Sequence, residues 1–294
     1  MANLKEIRSR IVSVNSTKQI TSAMKMVSAA KLHRAQAAIA RMRPYAEKMQ
    51  DILRNLSDSL DVSDNIYGAE RAPERVLIIA INSNRGLCGG FNNNVNRKVR
   101  GLIEQHEGAK IKVLAVGKKA FEAFKKSGHI AAGAGYPEVP YEIYNNLNFN
   151  AASEMAETVM DKFAEKKLDK VYLVYNSFKN AAVQNTTVEN FLPVEAPEKV
   201  EETKSANQTE FIFEPNKEEI VRALVPKTLK IQFYKALLDS NAAEHGARMT
   251  SMHQATDNAT ELVKELNLVY NKARQASITN EILEIVSGAE ALNG

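Results

Sequence analysis

Cysteine and glycine are scarce in this chain, and the places where they are missing are informative. The sequence holds a single cysteine, Cys88, and 13 glycines in 294 residues. A lone cysteine excludes an internal disulfide and leaves no cysteine cluster for a metal, which fits a reducing, cytoplasmic environment. No glycine precedes Gly68, and none lies between Gly246 and Gly288. Both ends of the chain therefore contain long stretches that glycine does not interrupt, as long helices require.

Long apolar runs are missing as well. No run approaches the roughly 18–20 apolar residues that are needed to span a bilayer, and charged residues make up 25% of the chain. The N-terminus carries Glu6 and no apolar segment, so we expect neither export nor a transit peptide. The sequence predicts a soluble protein with one sizeable core and appendages.

The N-terminal stretch carries the heptad pattern of a coiled-coil helix, because its core positions step alternately by three and four. These positions are Leu4, Ile7, Ile11, Val14, Lys18, Thr21, Lys25, Ser28, Leu32, Ala35, Ile39, Met42, Ala46, Met49, Leu53, Leu56 and Leu60. A helix over 1–60 would be roughly 85 Å long, against about 40 Å for a domain formed by the middle of the chain. We therefore expect this helix to protrude and to serve reach and torque.

Four successive core positions of this helix are polar, namely Lys18, Thr21, Lys25 and Ser28. Polar core positions lower stability and often set register or mark a contact. Two interpretations remain open. In the first, the helix leaves its partner at these positions and is solvated; in the second, the stretch faces a third surface.

The C-terminal stretch, predicted as a helix over 213–288, shows a similar pattern built from small and polar residues. Its predicted core positions are Ala243, Ala247, Thr250, Gln254, Asn258, Leu262, Leu266, Val269, Ala273, Ala276, Asn280 and Leu283. Because the two ends match in length and pattern, we predict that they pair antiparallel in a coiled coil.

The middle of the chain, 70–195, predicts an α/β domain. Arg75–Ile81 is a continuous apolar strand of the kind that is buried on both faces of a parallel sheet. Further strands are predicted at 111–116, 170–176 and 181–193, with helices at about 92–106, 118–126 and 151–167, and with Phe121 and Phe124 facing inward. Alternating strands and helices favour a Rossmann-like three-layer domain inserted between the terminal helices. Residues 196–212 lack apolar periodicity and are predicted to form a mobile loop.

Motifs for catalysis are weak. The turn Asn84–Gly90 follows the first strand, where Rossmann enzymes bind phosphate, but Cys88 stands where G-x-G-x-x-G requires a glycine. His245 and His253 are eight residues apart on one helix, without acidic neighbours at zinc-site spacing. We therefore predict no catalytic residue, no cofactor and no metal site. A nucleotide-binding Rossmann enzyme remains an alternative.

Positive charge is concentrated at the N-terminus. Residues 1–56 contain eleven Lys and Arg against three acids, a net charge of +8 in a chain of net charge +4. A basic helix can bind nucleic acid, an anionic membrane or an acidic protein. Segments that bind nucleic acid usually interleave clustered basic residues with aromatic ones. This helix has only Tyr45 among its charges, so an acidic protein is the favoured partner. A coiled-coil adaptor that binds nucleic acid remains the other alternative.

Three long motifs resemble the γ subunits of F-type ATP synthases. They are Ile7–Val14 with Thr17–Val27, Ala30–Leu32 and Arg34–Gln36 at the start, Arg85–Asn92 in the middle, and Ala247–Met249, Ala255–Asn258, Tyr270–Glu281 and Glu284–Ala289 at the end. The motifs occur in order and span nearly the whole chain.

The resemblance implies the central rotor shaft of a bacterial enzyme, a subunit that itself catalyses nothing. In this family the terminal helices coil together inside a ring of α and β subunits, and the Rossmann-like domain rests with the ε subunit on the membrane ring of c subunits. Ion flow turns the c-ring, and the shaft changes the conformation of the β sites. The resemblance also implies one copy per complex, no nucleic acid, and peripheral association with the cytoplasmic face of the inner membrane through the complex alone.

The resemblance further implies two contact regions. Contacts with the β subunit are expected from Met24, Lys25, Arg248, Arg274, Gln275, Thr279 and Glu284. A foot near ε and the c-ring is expected from Arg85, Gly86, Leu87, Cys88, Gly89, Gly90 and Phe91.

Overall fold

The computed structural model describes residues 4–57, 66–133, 136–137, 140–194 and 217–293. The loop predicted over 196–212 lies outside the described residues. In chain order the elements are α1 (Leu4–Ser57), β1 (Arg75–Ile81), α2 (Phe91–Gln105), β2 (Lys110–Val116), α3 (Lys118–Phe124), a 3-10 helix (Pro140–Asn145), α4 (Phe149–Ala164), β3 (Lys170–Phe178), β4 (Gln184–Leu192) and α5 (Lys217–Asn293). No helix in the described ranges is long and apolar enough to cross a membrane.

The predicted fold class is confirmed: an α/β domain is inserted between two long terminal helices. The chain divides into two units. One, called the coil unit, joins Met1–Ala29 with Arg248–Gly294, and the other, the α/β unit, comprises Ala30–Ala247. Both long helices contribute to both units.

The α/β unit is built on a four-stranded sheet of order β2-β1-β3-β4. β1 pairs parallel with β2 and with β3, so that Ile79 lies beside Leu114 on one side and Leu173 on the other. β4 runs antiparallel to β3 at the edge. Six of the seven residues of β1 are buried, which explains its uninterrupted apolar sequence.

Helices cover both faces of this sheet and make three layers. α2 and α3 cover one face, where Val99 and Phe124 pack against Ile78. α4 and the first part of α5 cover the other face, where Phe163 and Phe233 belong to the larger core. Burial of these apolar side chains is the main source of stability in such a unit.

Phe121 does not face inward, and this prediction is wrong. Its side chain is 37% exposed, whereas Ala120 and Phe124 are buried. α3 has only seven residues, so it presents a narrow buried stripe whose members are four residues apart. Phe121 lies about 100° around the helix from Ala120 and therefore falls outside that stripe.

Gly246 lies inside α5 and has a packing role. A Cβ at this position would lie 3.2 Å from both the Cα and the carbonyl oxygen of Ala181. The missing side chain lets α5 approach the turn between β3 and β4 closely. A glycine costs roughly 1 kcal/mol within a helix relative to alanine, and here it leaves room for Ala181.

The coil unit is an antiparallel pairing of α1 with α5. The core positions predicted on α1 are buried or half-buried in the described part of this unit, for example Ile7, Val14 and Thr21. The facing stripe of α5 consists of Met252, Thr256, Ala259, Val263, Leu266, Tyr270 and Ala273, which are likewise buried or half-buried. These positions alternate strictly by four and three, as the seam of a coiled coil requires.

The predicted seam of α5 is wrong between Thr250 and Val269. Gln254, Asn258, Leu262 and Val269 are exposed. From Thr250 to Leu266 that prediction took four successive steps of four residues. Each such step overshoots a full turn by about 40°, so the positions drift by roughly 160° and cannot share one face.

Candidate functional site

The turn between β1 and α2 is stabilised by its own side chains. Asn92 Nδ2 donates to Ser83 Oγ at 2.8 Å and to Cys88 Sγ at 3.2 Å. Asn92 Oδ1 accepts from the backbone N–H of Ser83 at 3.0 Å, and Ser83 Oγ donates to the carbonyl of Arg85 at 2.6 Å. Asn84 Oδ1 accepts from the N–H of Lys118 at the start of α3. The geometry is that of a tight strand-to-helix turn and favours a structural use of its glycines.

The predicted foot residues separate into interior and exposed groups. Cys88 and Phe91 are buried and pack with Ala243 and Ala247 of α5. Arg85 is exposed, and Leu87 is 64% exposed with a positive φ of 62°. A non-glycine residue with positive φ costs roughly 1–3 kcal/mol. The surrounding turn therefore holds Leu87 in a strained conformation with its apolar side chain exposed to solvent.

The predicted β-contact residues have different environments. Arg274, Gln275, Thr279 and Glu284 are exposed on the last part of α5. Met24 and Lys25 on α1 are half-buried. Arg248 is only 7% exposed, so its side chain is engaged mainly within this chain.

The last part of α5 extends beyond the described start of α1. The hydroxyls of Thr21 and Thr256 are 2.8 Å apart, and Leu4 lies 17 residues before Thr21. In an antiparallel pair Leu4 is therefore level with about residue 273. Residues 274–293 then form a single helix of about 30 Å, and the described side chains from Ile278 onward are all exposed.

Apolar side chains cluster on this single helix. One of them, Leu283, is exposed, so the prediction that it lies in the seam is wrong. The exposed ones are Ile278, Ile282, Leu283, Ile285 and Val286, with Ile285 the most exposed at 71%. Contiguous exposed apolar residues mark interaction surfaces. Ile20, Met26 and Val27 are similarly exposed on α1 beside the polar core positions.

The polar core positions of α1 do not leave the partner helix. Thr21 and Ser28 are 8% and 3% exposed, so the interpretation that the helix is solvated there is wrong for these two residues. Because apolar residues are exposed beside them, contact of this stretch of α1 with a third surface remains a prediction.

Groups suited to metal chemistry are not gathered in the part of the chain that the structure describes. Within the ranges that the structure describes, no three His, Cys, Asp or Glu side chains are placed to hold a metal ion. His253 lies on the surface, with Nδ1 3.3 Å from Asp257 Oδ2.

Comparison with known proteins agrees with this architecture. A family model described as ATP synthase matches residues 3–292. The ATP synthase gamma chain of Flavobacterium johnsoniae is 54% identical over 299 residues, covering 100% of both chains. That of Christiangramia forsetii is 55% identical over 296 residues, again covering 100% of both.

Solved structures show the same fold. A chain in the cryo-EM structure of the central stalk and c-ring of Tetrahymena thermophila mitochondrial ATP synthase is 25% identical, with a TM-score of 0.57, and covers 80% of this chain and 99% of that one. A chain of the Euglena gracilis mitochondrial ATP synthase is 21% identical, with a TM-score of 0.65, covering 98% and 94%.

The matches and the paired terminal helices together define a non-catalytic stalk subunit of a rotary ATP synthase. The chain belongs to the ATP synthase gamma chain family.

Proposed function

We propose that this chain is the rotor shaft that passes through a ring of α and β subunits and turns with a c-ring at the cytoplasmic face of a bacterial inner membrane. The observation that carries the proposal is the coil unit, whose two helices are paired over residues 4–29 while α5 continues alone beyond them. The family relationship supports this role, since the matching Tetrahymena chain comes from a structure of the central stalk and c-ring.

The single helix 274–293 is the part that fits deepest into the α and β ring. Its exposed apolar residues, of which Ile285 is the most exposed, need a partner to remove them from water. Arg274, Gln275 and Thr279 at its base are exposed polar residues that can hydrogen-bond a loop of β. Single exposed contacts of this kind contribute only about 0–1 kcal/mol, so they time the rotation more than they hold the complex together.

The basic face of α1 provides the electrostatic part of the same contact. Between Glu6 and Glu47 the helix carries no acid, whereas Arg8, Arg10 and Lys31 are exposed on it. An acidic surface on β complements this charge. Met24, half-buried beside Lys25, adds apolar contact.

The turn between β1 and α2 serves as part of the foot. Arg85 and Leu87 are exposed at the surface of this turn, where ε or a c subunit would contact them. Cys88 and Phe91 support them from the interior by anchoring the turn to α5.

Reconstitution tests the proposal. The purified chain is mixed with its α and β subunits, and the mass of the complex and its ATPase rate are measured. We expect one copy of the chain in each complex, and ATPase activity that the chain alone lacks. A chain that remains separate from α and β, or that binds nucleotide by itself, contradicts the proposal.

A further inference from the structure

A second concentration of positive charge lies in the α/β unit, in the stretch that contains α2 and α3. Residues 85–129 contain ten Lys and Arg against three acids, a net charge of +7. The structure describes the whole of this stretch. Soluble protein surfaces usually intersperse both signs of charge, so an excess of this size on one layer of the domain indicates an anionic partner.

The exposed charges of α2 and α3 continue the surface of the turn Asn84–Gly90. Asn84 Oδ1 accepts from the N–H of Lys118 at 3.0 Å, so α3 begins directly beside that turn. Along the helices, Arg100 is about 14 Å from the start of α2, and Lys125 is about 10 Å from the start of α3. The exposed basic residues, here called the basic face, are Arg97, Lys98, Arg100, Lys118, Lys125 and Lys126.

Acidic residues are too few here to neutralise the basic face. Glu122 is the acid of α3, and its carboxylate lies 2.6 Å from Lys119 Nζ. The hydrogen bond from Lys119 lowers the pKa of Glu122, and the nearby charges of Lys118 and Lys125 lower it further. A single carboxylate is thus shared by three lysines. In the part of the chain that the structure describes, no ion pair involves any member of the basic face.

Two apolar side chains are exposed beside the basic face. Leu87 is 64% exposed, and Phe121 is 37% exposed. Basic residues next to exposed apolar ones are typical of proteins that bind the surface of an anionic bilayer, because the headgroups attract the charges and the apolar side chains enter the interface. A nucleic acid would leave Leu87 in water, so the combination favours a lipid surface.

We propose that the basic face binds the headgroups of anionic phospholipids in the bilayer around the c-ring. Its position at the membrane rests on the proposed function, in which the turn Asn84–Gly90 contacts ε or a c subunit. Attraction between a basic surface and many equivalent headgroups has no fixed partner. It therefore steadies the foot on the membrane without preventing the chain from turning.

Vesicle flotation tests this inference with the complex of the chain and its α and β subunits. The vesicles consist of phosphatidylcholine alone, or of an equal mixture of phosphatidylcholine and phosphatidylglycerol. Flotation is measured at low and at high salt, and the α and β subunits without the chain are the blank.

Two variants that lose the same charge are compared. The basic-face variant combines Arg97→Gln, Arg100→Gln, Lys125→Gln and Lys126→Gln. The control combines Arg8→Gln, Arg10→Gln, Lys31→Gln and Arg34→Gln, four residues that are equally exposed in the free chain. In the proposed complex these control positions on α1 lie inside the ring of α and β subunits, away from lipid.

We expect the complex to bind the mixed vesicles and not phosphatidylcholine alone, and high salt to release it. Binding should fall at least about ten-fold in the basic-face variant, since each basic residue near an anionic bilayer contributes up to about five-fold. The control should bind as the native complex does. Absence of binding to the mixed vesicles overturns the inference, as does an equal loss in the two variants.

Failure of the proposed function gives a different result. If no complex with α and β forms, that function is wrong, and the free full-length chain then decides the lipid contact. Its basic-face variant must lose more binding to the mixed vesicles than the control does, and an equal or smaller loss overturns the inference.

Discussion

Asp169, directly before β3, binds both the backbone and the side chain of Arg75 at the start of β1. Asp169 Oδ2 accepts from the backbone N–H and from Nε of Arg75, each at 2.9 Å, and Oδ1 accepts from a guanidinium nitrogen at 2.8 Å. The carboxylate is almost fully buried, whereas the Arg75 side chain is 41% exposed. This pair fixes where the two central parallel strands begin.

Asp169→Asn should destabilise the protein by about 2 kcal/mol, because hydrogen bonds to a charged group contribute roughly 1.5–3 kcal/mol. Urea unfolding at neutral pH measures the change. Glu165→Gln is the control, since Glu165 pairs with Lys167 on the surface and should change stability by less than about 0.5 kcal/mol. Equal effects of the two substitutions would contradict this account of Asp169.

The carboxylate of Asp169 also makes the stability of the protein depend on pH, and the direction of that dependence follows from its pKa. The hydrogen bond from the Arg75 side chain lowers the pKa of Asp169, although burial acts in the opposite direction. A carboxylate with a lowered pKa stabilises the fold above its unfolded pKa of about 3.9, and loses that contribution as pH falls through the folded value. The stability difference between the native protein and Asp169→Asn should therefore narrow in unfolding measurements below about pH 4. A stability difference between the two proteins that stays constant down to pH 2 would contradict this account of Asp169.

Gly117 should tolerate no side chain. Its φ is +122°, and a Cβ there would lie 2.2 Å from the carbonyl oxygen of Asn82. Gly117→Ala should cost about 3 kcal/mol or more, from backbone strain together with overpacking. Gly101 lies within α2 with open space around it, so Gly101→Ala should be neutral or stabilise by up to about 1 kcal/mol. Thermal unfolding measures the melting temperatures of both variants. Similar melting temperatures would show that the turn at Gly117 can adapt to a side chain.

The corrected seam of α5 can be tested at two adjacent residues. Ala259 is buried and Asn258 is exposed. Ala259→Glu should destabilise the coil unit by about 2 kcal/mol or more, because it places a charge in the seam, whereas Asn258→Glu should have little effect. Hydrogen exchange over residues 4–29 reports the pairing. Faster hydrogen exchange in Asn258→Glu than in Ala259→Glu would show that residue 258, as predicted from the sequence, lies in the seam.

Arg274 should affect coupling without affecting the fold. It is exposed on the single-helix part of α5, so Arg274→Ala should leave the stability of the free chain unchanged. ATP-driven ion pumping by the complex should fall by up to about five-fold, the effect expected of one exposed contact. Lys272→Ala, also exposed and two residues earlier, is the control. An unaltered ratio of ions pumped to ATP hydrolysed in Arg274→Ala would remove it from the proposed contact.

How much the sequence predicts depends on how strongly each residue type signals its environment. The apolar run Val76–Ile81 predicts a buried strand because only a doubly covered strand can bury every side chain. The heptads of α1 are equally clear, since Ile and Leu mark one face. α5 is harder, because alanine and threonine occur both in the seam and on the surface, and its true face emerges only from strict alternation of steps.

The candidate site shows the same limit. Motif resemblance places the turn around Cys88, but only the structure separates the buried Cys88 and Phe91 from the exposed Leu87. The bond between Thr21 and Thr256 joins residues 235 apart in sequence, and no local pattern indicates that distance. Polar residues at the core positions of a coiled coil signal a specific contact, but only the tertiary structure shows which residue is contacted.

Rotation of this chain within its complex tests the central claim most directly. A Cys88→Ser, Lys126→Cys variant carries a visible probe on an exposed position, while the α and β ring is fixed to a surface. On addition of ATP the account predicts rotation of the probe in one direction, with pauses at the positions of the β subunits. ATP hydrolysis at the full rate with a stationary probe would contradict it.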